Sequence, residues 1–345
     1  MTNTSRNNNF RLELAAQIYQ YAAVVGIPIF TFGLIINLFI LYLFLFDKHF
    51  QKTTYKLMCI SVISDIISTM ASLAGYIQIV IRNLDYDGGT FMCRMVLFFL
   101  FSSFGVSMMN LCLIGIDRYF IIVKPLSSFY RNYKIYVLVL GEIAIWISAV
   151  ATNAPIFDYV AVHHSDNLLC DIPNITTSVS VYLIADATVL FIIPTILMII
   201  IYSRIISFQK SYQRPGESIR KQLIAEQIKK KRFMKMLTWI SVSYVMISWP
   251  YFATILGMAV TRQSTLMIRD SNIVYFLFSF FSVTITTSIV ILNPFIYLKF
   301  DLSVRNRSLV LIRKFQPFHN SGRNHRLVPV TSTGPTNTHM SSPRL

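Results

Sequence analysis

The sequence predicts an all-α membrane protein: a seven-transmembrane helix bundle with the N-terminus outside, the C-terminus inside and a short amphipathic eighth helix. Three observations predict it. Seven apolar stretches are each long enough to cross a bilayer, the 345-residue chain is 54% hydrophobic and 13% charged, and its basic residues cluster on one side of those stretches. A soluble domain carries roughly 25% charged residues. With a mean hydropathy of +0.56, this chain has too little polar surface to be wetted all round.

A helix needs about 20 apolar residues to cross the hydrocarbon core. The stretches are 19–46, 55–81, 91–116, 135–157, 178–203, 234–260 and 271–298. Pro28, Pro194, Pro250 and Pro294 fall inside them, where kinks are tolerated because neighbouring helices satisfy the freed carbonyls. The expected organisation is an extracellular tail over 1–18, the bundle over 19–298, an amphipathic inner helix over 299–315 and a disordered cytoplasmic tail over 316–345. Phe300, Val304 and Ile312 interleaved with Arg305, Arg307 and Arg313 mark the inner helix. Ser, Thr, Pro and Asn dominate the last segment. Residues 1–18 show no signal-peptide pattern, so the first span is expected to serve as its own insertion signal.

Orientation follows from Lys and Arg. With the N-terminus outside, the inner segments 47–56, 117–134, 204–235 and 299–345 hold 25 of the 31 basic residues. Only Arg6, Arg11, Arg82, Arg94, Arg262 and Arg269 stay outside. The net charge of +16 is thus explained by the positive-inside rule and an inner face suited to anionic membrane lipid, and no nucleic-acid partner is expected. Cys93 and Cys170 both fall outside, where oxidation is permitted, and a bridge between them is expected. Cys59 and Cys112 fall mid-membrane as free packing residues. The sequons at Asn3 and Asn174 are also outside, as glycosylation requires.

Polar residues inside a membrane are costly and are functional candidates. In order they are Asn37, Asp65, the Asp117-Arg118-Tyr119 triplet, Trp146, Pro194 with Tyr202, Trp249-Pro250, and Asn293-Pro294-Phe295-Ile296-Tyr297. Cys93 lies 25 residues before Arg118, and Tyr202 eight after Pro194. One marker per helix, in this order, resembles the rhodopsin-like (class A) G-protein-coupled receptor family along almost the whole chain.

The resemblance implies a multi-pass plasma-membrane receptor, not an enzyme, that binds an extracellular ligand and activates a heterotrimeric G protein by outward movement of the sixth helix. Asp117 would hold Arg118 at rest by a charge-assisted hydrogen bond. After release, Arg118 would face the G-protein cleft, supported by Tyr202 and Tyr297, with Tyr119 and Pro294 in the same machinery. Pro125 and Leu126 stand at the family's spacing for docking on the G protein. An acidic partner is frequent near the start of the sixth helix, and Lys230 stands there instead, which implies a less tightly held resting state. Phosphorylation of the Ser/Thr tail would create an arrestin site.

Asn37, Asp65, Ser107 and Asn293 are expected to meet in the bundle core, where the family holds a sodium ion. No other cofactor or metal is implied. Ile289 and Ser248 depart from the family there, which leaves sodium at Asp65 an open question. The family's Cys-Trp-x-Pro is replaced by Ile247-Ser248-Trp249-Pro250. One residue is about 100° on a helix, so the usual tryptophan switch is displaced, and Tyr244, Tyr251 and Phe252 are candidates to substitute by packing.

The expected ligand pocket holds Leu100, Asp186, Trp249, Tyr251, Phe252 and Thr287. Thr287 stands where a retinal-binding lysine would be required, and Leu100 where amine receptors carry an aspartate. Asp186, about two turns outward of Pro194, could pair with a cationic ligand group or serve as a hydrogen-bonded structural residue. The outer loops hold six Asp against three Arg, which attracts basic ligands, so a short peptide with a positive group is the leading expectation. Glu142, one turn inward of Trp146, has no assigned role. The competing reading is a transporter or channel that uses Asp65 and Asp186, against which the two halves show no internal repeat.

Overall fold

A computed structural model describes the backbone of residues 2–164, 166–211 and 220–315. It describes their side chains except for 2–12, 166, 168, 210–211, 220–230 and 314–315. Among the described residues, seven helices are long and apolar enough to cross a membrane. These are α1 (Thr2–Phe46), α2 (Thr53–Ile81), α3 (Tyr86–Ile122), α4 (Ser128–Asn153), α5 (Thr177–Gln209), α6 (Arg220–Thr261) and α7 (Ile273–Phe300). α8 (Leu302–Phe315) follows. Five of the seven expected spans lie within one of these helices; 135–157 runs four residues past the end of α4 and 271–298 begins two residues before α7. Within the segment expected as a tail over 1–18, α1 is already helical from Thr2.

The helices close into a ring. α1 packs on α2, α2 on α3, α3 on α4 and α5, α5 on α6, α6 on α7, and α7 back on α1. The outside of the ring is apolar and exposed; on α4 alone Ile135, Tyr136, Val139, Leu140, Ile143 and Ile147 face outward. So large an exposed apolar surface requires lipid around it. The inside holds the polar residues, with Asn37, Asp65 and Asp117 fully buried.

Local chemistry sets the irregularities. Pro194 has no N–H to offer, and its ring blocks the carbonyl four residues back. The turn before it, Thr188–Ile192, widens to a π turn. α7 is interrupted at Ser288, between Thr287 and Ile289. At Gly33 an added Cβ would lie 2.7 Å from Ile291 on α7. The missing side chain lets α1 approach closely enough for the Asn37 amide to donate to the Val290 carbonyl at 3.0 Å.

The eighth helix begins three residues later than the expected Lys299. Asp301 is extended, and its carboxylate accepts from the amides of Ser303 at 2.8 Å and Val304 at 3.3 Å. It is therefore an N-cap, and the Tyr55 hydroxyl donates to it from α2 at 2.7 Å. At the opposite end of the bundle, β1 (Ala161–His163) and β2 (Asp166–Asp171) form an antiparallel hairpin. The Cys93–Cys170 bridge pins it to the start of α3. Asn174 is exposed in the loop after β2. The side chains of Asn3 and Lys230, and the tail over 316–345, lie outside the described residues.

Candidate functional site

Beneath the hairpin, at the disulfide end, lies a cavity of about 280 Å³. Leu100, Asp186, Tyr251 and Thr287 line it, together with Phe101 and Tyr182. Asp186 is buried, and its Oδ1 finds no hydrogen-bond partner among the described residues. Phe101 stacks on Tyr251 with ring centroids 4.9 Å apart.

Two residues expected in this pocket are elsewhere. Trp249 is 50% exposed on the outside of the ring, and Ser248 takes the fully buried inward position. The cause is the one-residue displacement, which turns the indole away from the bundle axis. Phe252 is buried but does not line the cavity. It packs against Phe191 at 4.6 Å and Phe104 at 5.6 Å, and touches Tyr251 edge-on at 5.1 Å.

The cavity's roof is fastened by Asp171. Its carboxylate accepts from the amides of Thr265 and Leu266, each at 2.9 Å, and meets His163 Nε2 at 2.9 Å. The two amides open the short helix Thr265–Ser271 between α6 and α7, so the carboxylate caps it. Asp85 is likewise committed, accepting from the Gly88 amide at 2.9 Å, and Asp270 pairs with Arg269 at 3.4 Å. Three of the six outer-loop acids are therefore engaged in structure, while Asp186, on α5, lines the cavity with an unpartnered oxygen.

Below the aromatic floor, Phe104 contacts Tyr244 at 5.9 Å. The Tyr244 hydroxyl donates to Asp65 Oδ1 at 3.3 Å. Ser107 donates to the same oxygen at 3.2 Å, and the Asn293 amide to Oδ2 at 2.8 Å. Asn293 also donates to Tyr244 at 3.1 Å. Asp65, Ser107 and Asn293 thus meet as expected, while Asn37 is turned to the backbone carbonyls of Gly33 and Val290. The adjoining cavity holds about 10 Å³, room for roughly one water. A hard cation needs a shell of oxygens, and here three donors already cover the carboxylate while the apolar Ile289 is buried alongside.

At the other end, Asp117 is fully buried and faces Arg118 Nη2 at 3.1 Å. Two partners not expected from the sequence bind its other oxygen: the Tyr130 hydroxyl at 2.6 Å and Lys134 Nζ at 2.8 Å. The Arg118 guanidinium lies 5.2 Å from the centre of the Phe233 ring on α6, so α6 covers it. Tyr202 is buried against α3 at Gly115, and Tyr297 is buried beside Phe44. Tyr119 is half-buried, with Lys124 Nζ 6.0 Å from its ring centre. Pro294 sits inside α7, Pro125 is exposed after α3, and Leu126 is 92% exposed. Glu142, buried on α4, belongs to none of these groups.

Residues 36–297 match the model of the 7 transmembrane receptor (rhodopsin family). Among curated proteins, the chain is 23% identical over 203 residues to the probable G-protein coupled receptor 19 of Mus musculus, covering 59% of this chain and 48% of that protein. The Rattus norvegicus protein of the same name matches to the same extent. The G-protein coupled receptor 84 of Bos taurus is 35% identical over 75 residues, 22% of this chain and 19% of that one. The chain spans about half the length, or less, of these curated relatives. The family match covers most of the chain and every helix marker from Asn37 to Tyr297. The chain is therefore a rhodopsin-family seven-transmembrane receptor, a multi-pass protein of the plasma membrane.

Proposed function

We propose that this receptor, with its disulfide end outside, takes the positively charged end of a short peptide into the cavity under the hairpin and activates a heterotrimeric G protein by outward movement of α6. The observation that carries this reading is Asp186, a buried carboxylate with an unpartnered oxygen on the cavity wall. Burying an unpaired charge is costly, and a ligand cation would relieve that cost. At about 280 Å³ the cavity sits at the small end of ligand pockets, which run roughly 300–1,000 Å³. It suits one or two residues of a peptide, with the remainder against the hairpin. The aromatic contacts from Tyr251 through Phe252 and Phe104 to Tyr244 give the ligand a packed route to α6, in place of the displaced tryptophan.

On the inner side, outward movement of α6 would carry Phe233 off Arg118 and open the cleft, with Tyr202 and Tyr297 free to turn in. Exposed Leu126 would dock on the G protein. The polar core would operate without sodium, and arrestin would engage the tail over 316–345. Binding of labelled basic peptides to wild type and Asp186→Asn tests the ligand reading. The substitution should weaken a cationic peptide by at least about tenfold and leave a neutral analogue unchanged. Equal affinity for the cationic peptide removes Asp186 from the proposal. Loss of nucleotide exchange in Arg118→Ala tests the coupling reading.

A further inference from the structure

The buried Asp117 carboxylate has two cations, and they are not equivalent. Lys134 Nζ and the Tyr130 hydroxyl converge on Oδ1 at 2.8 and 2.6 Å. Arg118 meets Oδ2 at 3.1 Å, an ion pair in which Oδ2 accepts no aligned hydrogen bond. Lys134 lies in the second turn of α4, 5.9 Å from the centre of the Tyr130 ring, and that ring stacks on Phe120 of α3 at 4.5 Å. Lys134 and Tyr130 are therefore fixed to α3 and α4. Arg118 is instead covered by Phe233 from α6, the helix that moves in the proposed mechanism.

We infer that Lys134 is a positioning residue that keeps Asp117 neutralised when Arg118 leaves it, and so lowers the cost of activation. A buried charge that loses its only cation is strongly destabilised. With Lys134 in place, Arg118 swings to the G-protein cleft and Asp117 keeps a cation and a hydroxyl. Without Lys134, release of Arg118 strands a fully buried carboxylate, and the equilibrium shifts toward the state in which Arg118 stays paired. Lys134 thus acts through Asp117 and contacts neither ligand nor G protein in this scheme.

The inference rests on the coupling reading above, so its test uses a readout of α6 that needs no G protein. Cys59 and Cys112 are buried, and Cys93 and Cys170 are bridged, so an environment-sensitive fluorophore on Arg232→Cys reports the inner end of α6 alone. In purified full-length receptor without ligand, Lys134→Met should shrink the open fraction roughly three- to tenfold, and Lys134→Arg should retain it. In an Asp117→Asn background Lys134→Met should have no effect, because the charge it compensates is gone. Lys134→Gln carries the same expectation if the Met variant does not reach the surface. An open fraction that is unchanged or raised by Lys134→Met, or lowered equally in the Asp117→Asn background, overturns the inference. Nucleotide exchange on a panel of heterotrimers, run in parallel on wild type, shows separately whether the coupling reading fails.

Discussion

Tyr244 on α6 is hydrogen-bonded through its hydroxyl to Asp65 on α2, at 3.3 Å. The same hydroxyl accepts from Asn293 on α7 at 3.1 Å, so one phenol joins three helices in the centre of the membrane. An aromatic ring in that place would pack as well without the oxygen. The oxygen adds a donor to a buried carboxylate, and in the bilayer core the interaction has no water to compete with it. It also fills space beside Asp65 that a hydrated ion would need.

Tyr244→Phe should therefore loosen α6 from the core. Asp65 keeps Ser107 and Asn293 but loses one of its three donors, and a buried hydrogen bond to a charged group contributes about 1.5–3 kcal/mol. We expect a lower melting temperature of the purified receptor and a larger open fraction from the fluorophore on Arg232→Cys. Replacing NaCl with choline chloride should leave the wild-type melting temperature unchanged. A sodium-dependent rise in melting temperature that disappears in Asp65→Asn would contradict the reading of this core.

The rows of aromatic rings predict a contrast between neighbours in α6. Phe252 is buried among Phe104, Phe191 and Tyr251, and Phe252→Ala should cost about 3–5 kcal/mol by leaving a cavity. Trp249, half exposed toward lipid, should tolerate Leu with little change in stability or signalling. Thermal melting and ligand-stimulated exchange on the two variants check this. A Trp249→Leu receptor that folds but no longer responds would restore the tryptophan as the switch.

Much of this was legible in the sequence, because lipid imposes a simple code. Apolar length gave the spans, and the intramembrane polar residues from Asn37 to Tyr297 gave the core and the inner machinery. The displacement of Trp249 followed from the family's Cys-Trp-x-Pro pattern together with helix geometry, although Trp249 was still expected in the pocket. Other features were hidden for physical reasons. Lys134 is one more lysine in a basic inner segment, and nothing local separates it from positive-inside charge. Tyr244 reads as a packing aromatic until its hydroxyl is placed opposite a residue 179 positions away. Asp301 carries a readable signal, an Asp before a helix, but Lys299 and Phe300 already fit the amphipathic pattern, so the start of the inner helix is ambiguous in the sequence.

Asp171 was also hidden, since it caps a helix 94 residues downstream and reads in the sequence only as loop charge. Its burial and its four partners, the amides of Ile172, Thr265 and Leu266 and the His163 ring, predict a large effect on the receptor's roof. Ser264 remains as the N-cap, but Asp171→Ala removes the acceptor for the Thr265 and Leu266 amides, and a buried donor left unsatisfied costs about 1–3 kcal/mol. It also removes the bond from the hairpin to the loop between α6 and α7. We expect a lower melting temperature, faster hydrogen exchange over 265–271 and faster ligand dissociation, because the hairpin no longer holds that loop across the cavity. Asp158→Ala is the control: Asp158 is an exposed acid of the same outer face, and exposed charges contribute little. If the two alanine variants melt and exchange alike, Asp171 is not the fastener of the roof.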